Sequence, residues 1–143
     1  MRNDLDLGKK LFEAIPPIMR SIRATVRGMK GSTLTIQQFR VLRFVSRHSC
    51  TNKQLADWQG VSLPAMSRMV DFLARRDLLV RTPSLSDRRQ VQLTLSAKGK
   101  AEYSRLLNAV EKKLAQRIAT LDRSKKAALA NGLAVMKELF SDV

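Results

Sequence analysis

Gln54-Leu-Ala-Asp-Trp-Gln-Gly-Val-Ser-Leu-Pro-Ala-Met-Ser-Arg68 and Ser86-Asp-Arg-Arg-Gln-Val-Gln-Leu-Thr-Leu-Ser-Ala-Lys-Gly99 decide the fold of this chain. The first stretch reads as two helices meeting at a tight turn. Gly60 supplies the left-handed backbone that ends one helix. Ser62 is a good N-cap for the next, and Pro64 falls in its first turn, where a missing N–H costs nothing. Helices joined so closely must cross steeply. In the second stretch Val91, Leu93 and Leu95 alternate against Gln90, Gln92 and Thr94, a period of two that marks a strand. Leu78-Leu-Val-Arg-Thr82 is the expected partner strand, and Pro83 to Arg89 the loop between them.

Outward from this centre the period is helical. Thr51-Asn-Lys-Gln54 and Thr35-Ile-Gln-Gln38 both have capping-box form, in which Thr and Gln satisfy each other's backbone donors. They start short helices carrying Leu55 and Ala56, and Phe39, Leu42 and Val45 or Val41, toward a core. Leu5, Leu11, Phe12, Ile15, Met19, Ile22 and Val26 predict a first helix ended by Gly28, Gly31 and Ser32. Pro16 and Pro17 predict a kink or restart within it, because each removes a hydrogen bond and crowds the preceding turn. After Ser96 a long helix carries Tyr103, Leu106, Leu107, Val110, Leu114, Ile118 and Leu121. Asp122 caps a last one bearing Leu129, Leu133, Met136 and Phe140. On the helix after Ser62, Met66, Met69, Val70 and Leu73 face a core; Pro64, Arg68, Asp71 and Arg75 face outward.

The 143 residues hold 27 Lys and Arg against 12 Asp and Glu, a formal charge of +15 that favours polyanionic partners. A hydrophobic fraction of 44% is enough for a core, so disorder is not expected. Only 5% of residues are aromatic, which argues against a single-strand binder that stacks bases on rings. One cysteine excludes an internal disulfide and fits a reducing compartment. Acids at the N-terminus, and charges interrupting every apolar run, argue against a leader or a membrane span. A cytoplasmic protein without membrane partner is expected.

A helix that enters a major groove needs small or polar residues at its head, so that the backbone approaches the base edges. Ser62, Pro64, Ala65, Ser67 and Arg68 meet that need, with Arg68 suited to a bidentate contact to guanine. The competing reading is a cap followed by a solvated helix face. The hairpin adds Asp87-Arg88-Arg89 at its tip, where a guanidinium can enter a narrow minor groove. Asp87 would repel phosphate, so its expected role is to orient a neighbouring arginine by a charge-assisted hydrogen bond. The alternative is a solvated turn.

Taken together, Leu34-Thr35, Gln38-Phe39, Val41-Leu42, Gln54-Leu55-Ala56, Gly60-Val61-Ser62, Ser67-Arg68, Asp87-Arg88-Arg89 and Leu95-Ser-Ala-Lys-Gly99 resemble a MarR-family winged-helix transcription regulator essentially end to end. The resemblance implies a mainly α fold with a small β-hairpin wing. It implies a winged helix-turn-helix over residues 34–99, and terminal helices over 1–33 and 100–143 that form a dimerisation region. The helix after Ser62 would read the major groove and the wing the minor groove of double-stranded DNA. A homodimeric repressor of an inverted-repeat operator is the implied function. Many members let go when a small aromatic or phenolic effector binds, or when a cysteine is oxidised.

Some positions depart from the pattern. Asp77 stands where the family commonly has glycine, though Asp tolerates the left-handed region better than most residues. Trp58 is expected in the core between helices, with a ligand-pocket wall as the other reading. Cys50, beside His48 and Lys53, is either a redox sensor or a small buried hydrophobe. His48 has too few soft partners nearby for a metal site, and no cofactor is expected. A non-specific architectural DNA-coating protein would use the same charge, but it has no reason to keep small residues at the head of a reading helix. An enzyme is not expected: one histidine, one cysteine, no glycine-rich phosphate loop and no paired acids leave little for catalysis.

Overall fold

A computed structural model describes residues 1–87 and 89–141. The elements run α1 (Arg2–Gly28), α2 (Ile36–Arg47), α3 (Asn52–Gln59), α4 (Leu63–Arg75), β1 (Leu79–Pro83), β2 (Val91–Leu95), α5 (Ala97–Ala119) and α6 (Arg123–Leu139). The mainly α fold with a hairpin wing is the one expected. The chain forms two compact units, Met1–Val110 and Glu111–Val143.

Apart from α1, which Met1 precedes without a side-chain cap, each helix starts where a polar side chain satisfies an orphan amide. Thr35 and Thr51 both close full capping boxes, with Gln38 and Gln54 accepting from the cap backbone at 2.9 Å. Asp122 Oδ1 accepts from the Lys125 amide at 2.8 Å and starts α6. Pro16 and Pro17 lie inside one uninterrupted α1, so the predicted restart does not occur. Residues 12–17 are all exposed, and water can satisfy the Phe12 and Glu13 carbonyls that the two prolines leave without a donor.

The core of the first unit gathers Leu42 and Val41 of α2, Leu55 of α3, Met66, Val70 and Leu73 of α4, Leu93 of β2 and Leu106 of α5, each fully buried. Burying a side chain of this size contributes about 1.5–3 kcal/mol. The helix-surface ion pairs, such as Lys10 to Asp6 at 2.7 Å, are exposed and contribute about 0–1 kcal/mol each. Apolar burial therefore holds the unit together. The hairpin is antiparallel, with Leu79 opposite Leu95 and Pro83 opposite Val91. Pro83 thus extends β1 one residue into the expected loop, at the strand end, where a missing ladder donor costs least. The Leu93 amide donates to the Cys50 carbonyl at 2.7 Å, which anchors β2 to the segment ahead of α3.

The turn after α4 joins these parts. Asp77 adopts φ 58°, the left-handed conformation expected of it. The Leu78 amide then reaches back to the Leu73 carbonyl at 3.0 Å and closes the helix end. Ser96 donates its amide to the Leu78 carbonyl at 3.2 Å and its hydroxyl to the Asp77 carbonyl, while its Oγ accepts from the Gly99 amide at 2.8 Å. Gly99 lies against this turn: a Cβ there would fall 2.9 Å from the Leu78 carbonyl carbon and closer to its oxygen. Backbone atoms cannot swing aside as a side-chain end can. Gly99→Ala should therefore destabilise the protein by about 1–3 kcal/mol, read as a lower urea midpoint with unchanged slope; an unchanged midpoint would show that the first turn of α5 is free to shift.

Candidate nucleic-acid interface

The tight turn between α3 and α4 is built by two residues. Gly60 takes φ 70° and ψ 36°, and the Val61 amide returns to the Ala56 carbonyl at 3.1 Å. Ser62 follows in extended backbone, and its Oγ accepts from the Ala65 amide at 3.3 Å. Pro64 occupies the first turn, as its geometry requires. Met66, Val70 and Leu73 bury the inner face of α4, while Met69 is half-buried at its margin.

The outer face carries the candidate contacts. Ser62, Pro64 and Arg68 are exposed, and Ala65 and Ser67 are half-buried. Arg68 makes no ion pair among the described residues, which leaves its five donors free. Ser67 Oγ accepts from Asn52 Nδ2 at 3.4 Å, so the start of α3 contributes to the same surface. A groove of about 510 Å³ lies there, lined among others by Asn52, Lys53, Leu63, Ser67 and Gln90. The sequence reading missed Asn52 and Lys53, because only the crossing of the helices brings them beside Ser67.

The wing is held to α4 by a link that the sequence also concealed. Arg81 of β1 donates to the Asp71 carboxylate of α4, the two side chains 41% and 47% exposed. Asp71 therefore neutralises one cation while fixing the hairpin's angle to the helix. At the tip, Asp87 Oδ1 accepts from the Arg89 backbone amide at 2.9 Å, and the Asp87 carbonyl accepts from the Gln90 amide at 3.0 Å. Asp87 thus meets Arg89 through the main chain, in an Asx turn. Arg89 is exposed; Arg88 lies outside the described residues.

One expectation changes. Trp58 is 38% exposed and is not core: its ring packs on Phe44 at 4.5 Å, with the Arg40 guanidinium 5.3 Å above it. Trp58 lies near the end of α3, where its ring covers Phe44 from the rim. His48 is exposed, and its ring lies tilted by 49° against Phe44 with centroids 5.2 Å apart. Cys50 is only 2% exposed, with its carbonyl tied to Leu93. Burial raises its thiol from 9.0 to about 11, which favours the small buried hydrophobe over the redox sensor.

Residues 32–90 match the sequence pattern of the MarR family. The HTH-type transcriptional repressor MdtR of Bacillus subtilis is 28% identical over 109 residues, a stretch covering 75% of this chain and 66% of that repressor's length. Among solved structures, the transcriptional repressor CouR, bound to a 23-mer DNA duplex, is 31% identical, with a TM-score of 0.68 and 91% of each chain covered. A mutant MarR from E. coli is 25% identical with a TM-score of 0.78, covering 91% of this chain and 95% of its own.

With a pKa near 11, Cys50 would be roughly one part in a thousand thiolate at pH 8. Iodoacetamide should therefore label the native protein far more slowly than the urea-unfolded chain. Because the unfolded thiol ionises near 9.0 and the folded one only near 11, stability should decline as pH rises through that window. Rapid native labelling at pH 8 would show the thiol to be accessible.

Proposed function

The chain belongs to the MarR family of winged-helix transcription regulators, and on that premise we propose that it reads double-stranded DNA sequence-specifically, as a homodimeric repressor of an inverted-repeat operator. One observation carries the reading. The small-residue head of α4, with Arg68 exposed on it, and the hairpin wing belong to one module, tied by Asp71 and Arg81. A rigid pair of this kind can address two grooves at once. Ser62, Pro64, Ala65, Ser67 and Arg68 enter the major groove, and the wing arginines Arg88 and Arg89 the minor groove. Asp87 sets the backbone that presents Arg89.

Dimerisation is supported by apolar residues left in water. Leu5, Phe12 and Ile15 on α1 are exposed, and so are Leu129, Leu133 and Leu139 on α6, a helix with no buried residue among those described, with Phe140 just past its end. Patches of this kind mark interfaces. A dyad would set two α4 helices in successive major grooves, about 34–36 Å apart. A small aromatic or phenolic effector would act by changing that spacing.

Selection of genomic fragments at near-physiological salt, followed by titration against a scrambled copy, tests the DNA reading. An inverted repeat bound far above its scramble is expected. Arg68→Ala should lose about 1–3 kcal/mol on the selected site and little on random DNA, and Arg89→Ala should lose most where the flanks are A·T-rich. Equal binding to site and scramble would instead support a DNA-coating protein held by its charge of +15. Separately, Leu133→Asp should shift the protein toward monomer in sedimentation equilibrium; an unchanged mass would remove α6 from the interface.

A further inference from the structure

A cavity of about 340 Å³ opens in the first unit between the α1–α2 loop, the C-terminal end of α4 and the first turns of α5; Arg76, Lys98 and Arg105 line it with Glu102 and the apolar Leu34 and Leu78. It is separate from the DNA-reading head of α4. Arg76 lies 14 positions beyond Ser62, which at 1.5 Å per residue is about 20 Å along the helix.

Two of its cations are held in place. Arg105 donates through Nε and Nη2 to both Glu102 oxygens, at 3.1 and 3.0 Å, and through Nη1 to the Lys30 carbonyl at 3.0 Å. Arg76 donates to Thr33 Oγ1, and its guanidinium lies 5.2 Å from the Phe72 ring centre. These contacts fix the side chains before any ligand arrives, which removes much of the ordering cost of binding. Lys98 is oddly placed for a merely structural role. It sits in the first turn of α5, where the helix dipole disfavours a cation, and no acid shares that turn. Three cations against the single carboxylate of Glu102 leave the lining with a net charge of +2.

We propose that this cavity binds a compact dianion, either a phosphate monoester or a small dicarboxylate. The ligand would lie between Arg76 and Lys98, at the positive end of α5, with Leu34 and Leu78 against its carbon skeleton. Because the cavity joins the root of α4 to the α1–α2 loop, occupancy would stiffen the base of the reading helix and alter DNA affinity. That regulatory half rests on the proposed DNA reading; the binding itself does not.

The test is site-resolved, because phosphate also gathers on any basic DNA-binding face. Amide NMR of the full chain is titrated with inorganic phosphate, succinate and acetate at matched ionic strength, following Gly31 and Ala101. Expected is saturable binding of phosphate or succinate about tenfold tighter than acetate, weakened about tenfold by Lys98→Gln and little by Arg20→Gln, which removes the same charge elsewhere. Preference between the first two probes distinguishes the phosphate monoester from the dicarboxylate. Comparable acetate affinity, equal losses in both variants, or shifts confined to the head of α4 would overturn the site. DNA affinity is then measured with and without the tighter probe. A change in the wild type that Lys98→Gln abolishes supports the regulatory half, and no change overturns it while leaving the binding result standing. Failure of DNA reading would appear separately, as equal binding to site and scramble without ligand.

Discussion

The backbone junction at Leu78 is the constraint on which the rest of the first unit depends. Three chain segments meet there with no room for a side chain: the end of α4, the base of β1 and the first turn of α5. Asp77 turns the chain in left-handed backbone, Ser96 bonds to two successive carbonyls, and Gly99 lets the helix lie against the Leu78 peptide. Unpaired backbone groups in such a place would cost about 1–3 kcal/mol each, so the serine and the glycine act as one device. Through it the hairpin leaves α4 at a fixed angle, and α5 starts in a fixed place.

The surface bonds then refine that frame. Asp71 to Arg81 spans from helix to wing a short distance beyond the junction. A half-exposed pair of this kind contributes little stability, since water screens it and two long side chains must be ordered. Its value lies in orientation. It holds the strand leading to the wing tip in one relation to the helix face that carries Arg68, while Asp87 fixes the main chain at Arg89. Acids are scarce in this chain, 12 against 27 bases, and two of them, Asp71 and Asp87, stand where they position the basic surface.

Much of the fold was legible because its signals are local. Capping boxes at Thr35 and Thr51, the cap at Ser62, the left-handed Gly60 and the alternation of Val91, Leu93 and Leu95 each depend on residues within a few positions of one another. Short-range hydrogen bonding and side-chain period are written directly in the order of residues. The head of α4 was legible for the same reason. Where local rules failed, the surroundings overruled them: α1 runs through Pro16 and Pro17 because its exposed carbonyls can be hydrated there, and Trp58 stays at the rim, packed between Phe44 and the Arg40 guanidinium.

The sequence by itself determined the element order, the helix starts, the basic charge and the resemblance that names the family. Only the tertiary structure decided which distant residues meet. It put Asp71 beside Arg81, Asn52 beside Ser67, and Arg76 beside Thr33 across 43 positions. It also buried Cys50 against Leu93, turning a thiol with cationic sequence neighbours into one whose ionisation is suppressed. The physical reason is common to all four. Contact and desolvation depend on packing between segments, and residues far apart in the chain carry no local pattern that specifies it.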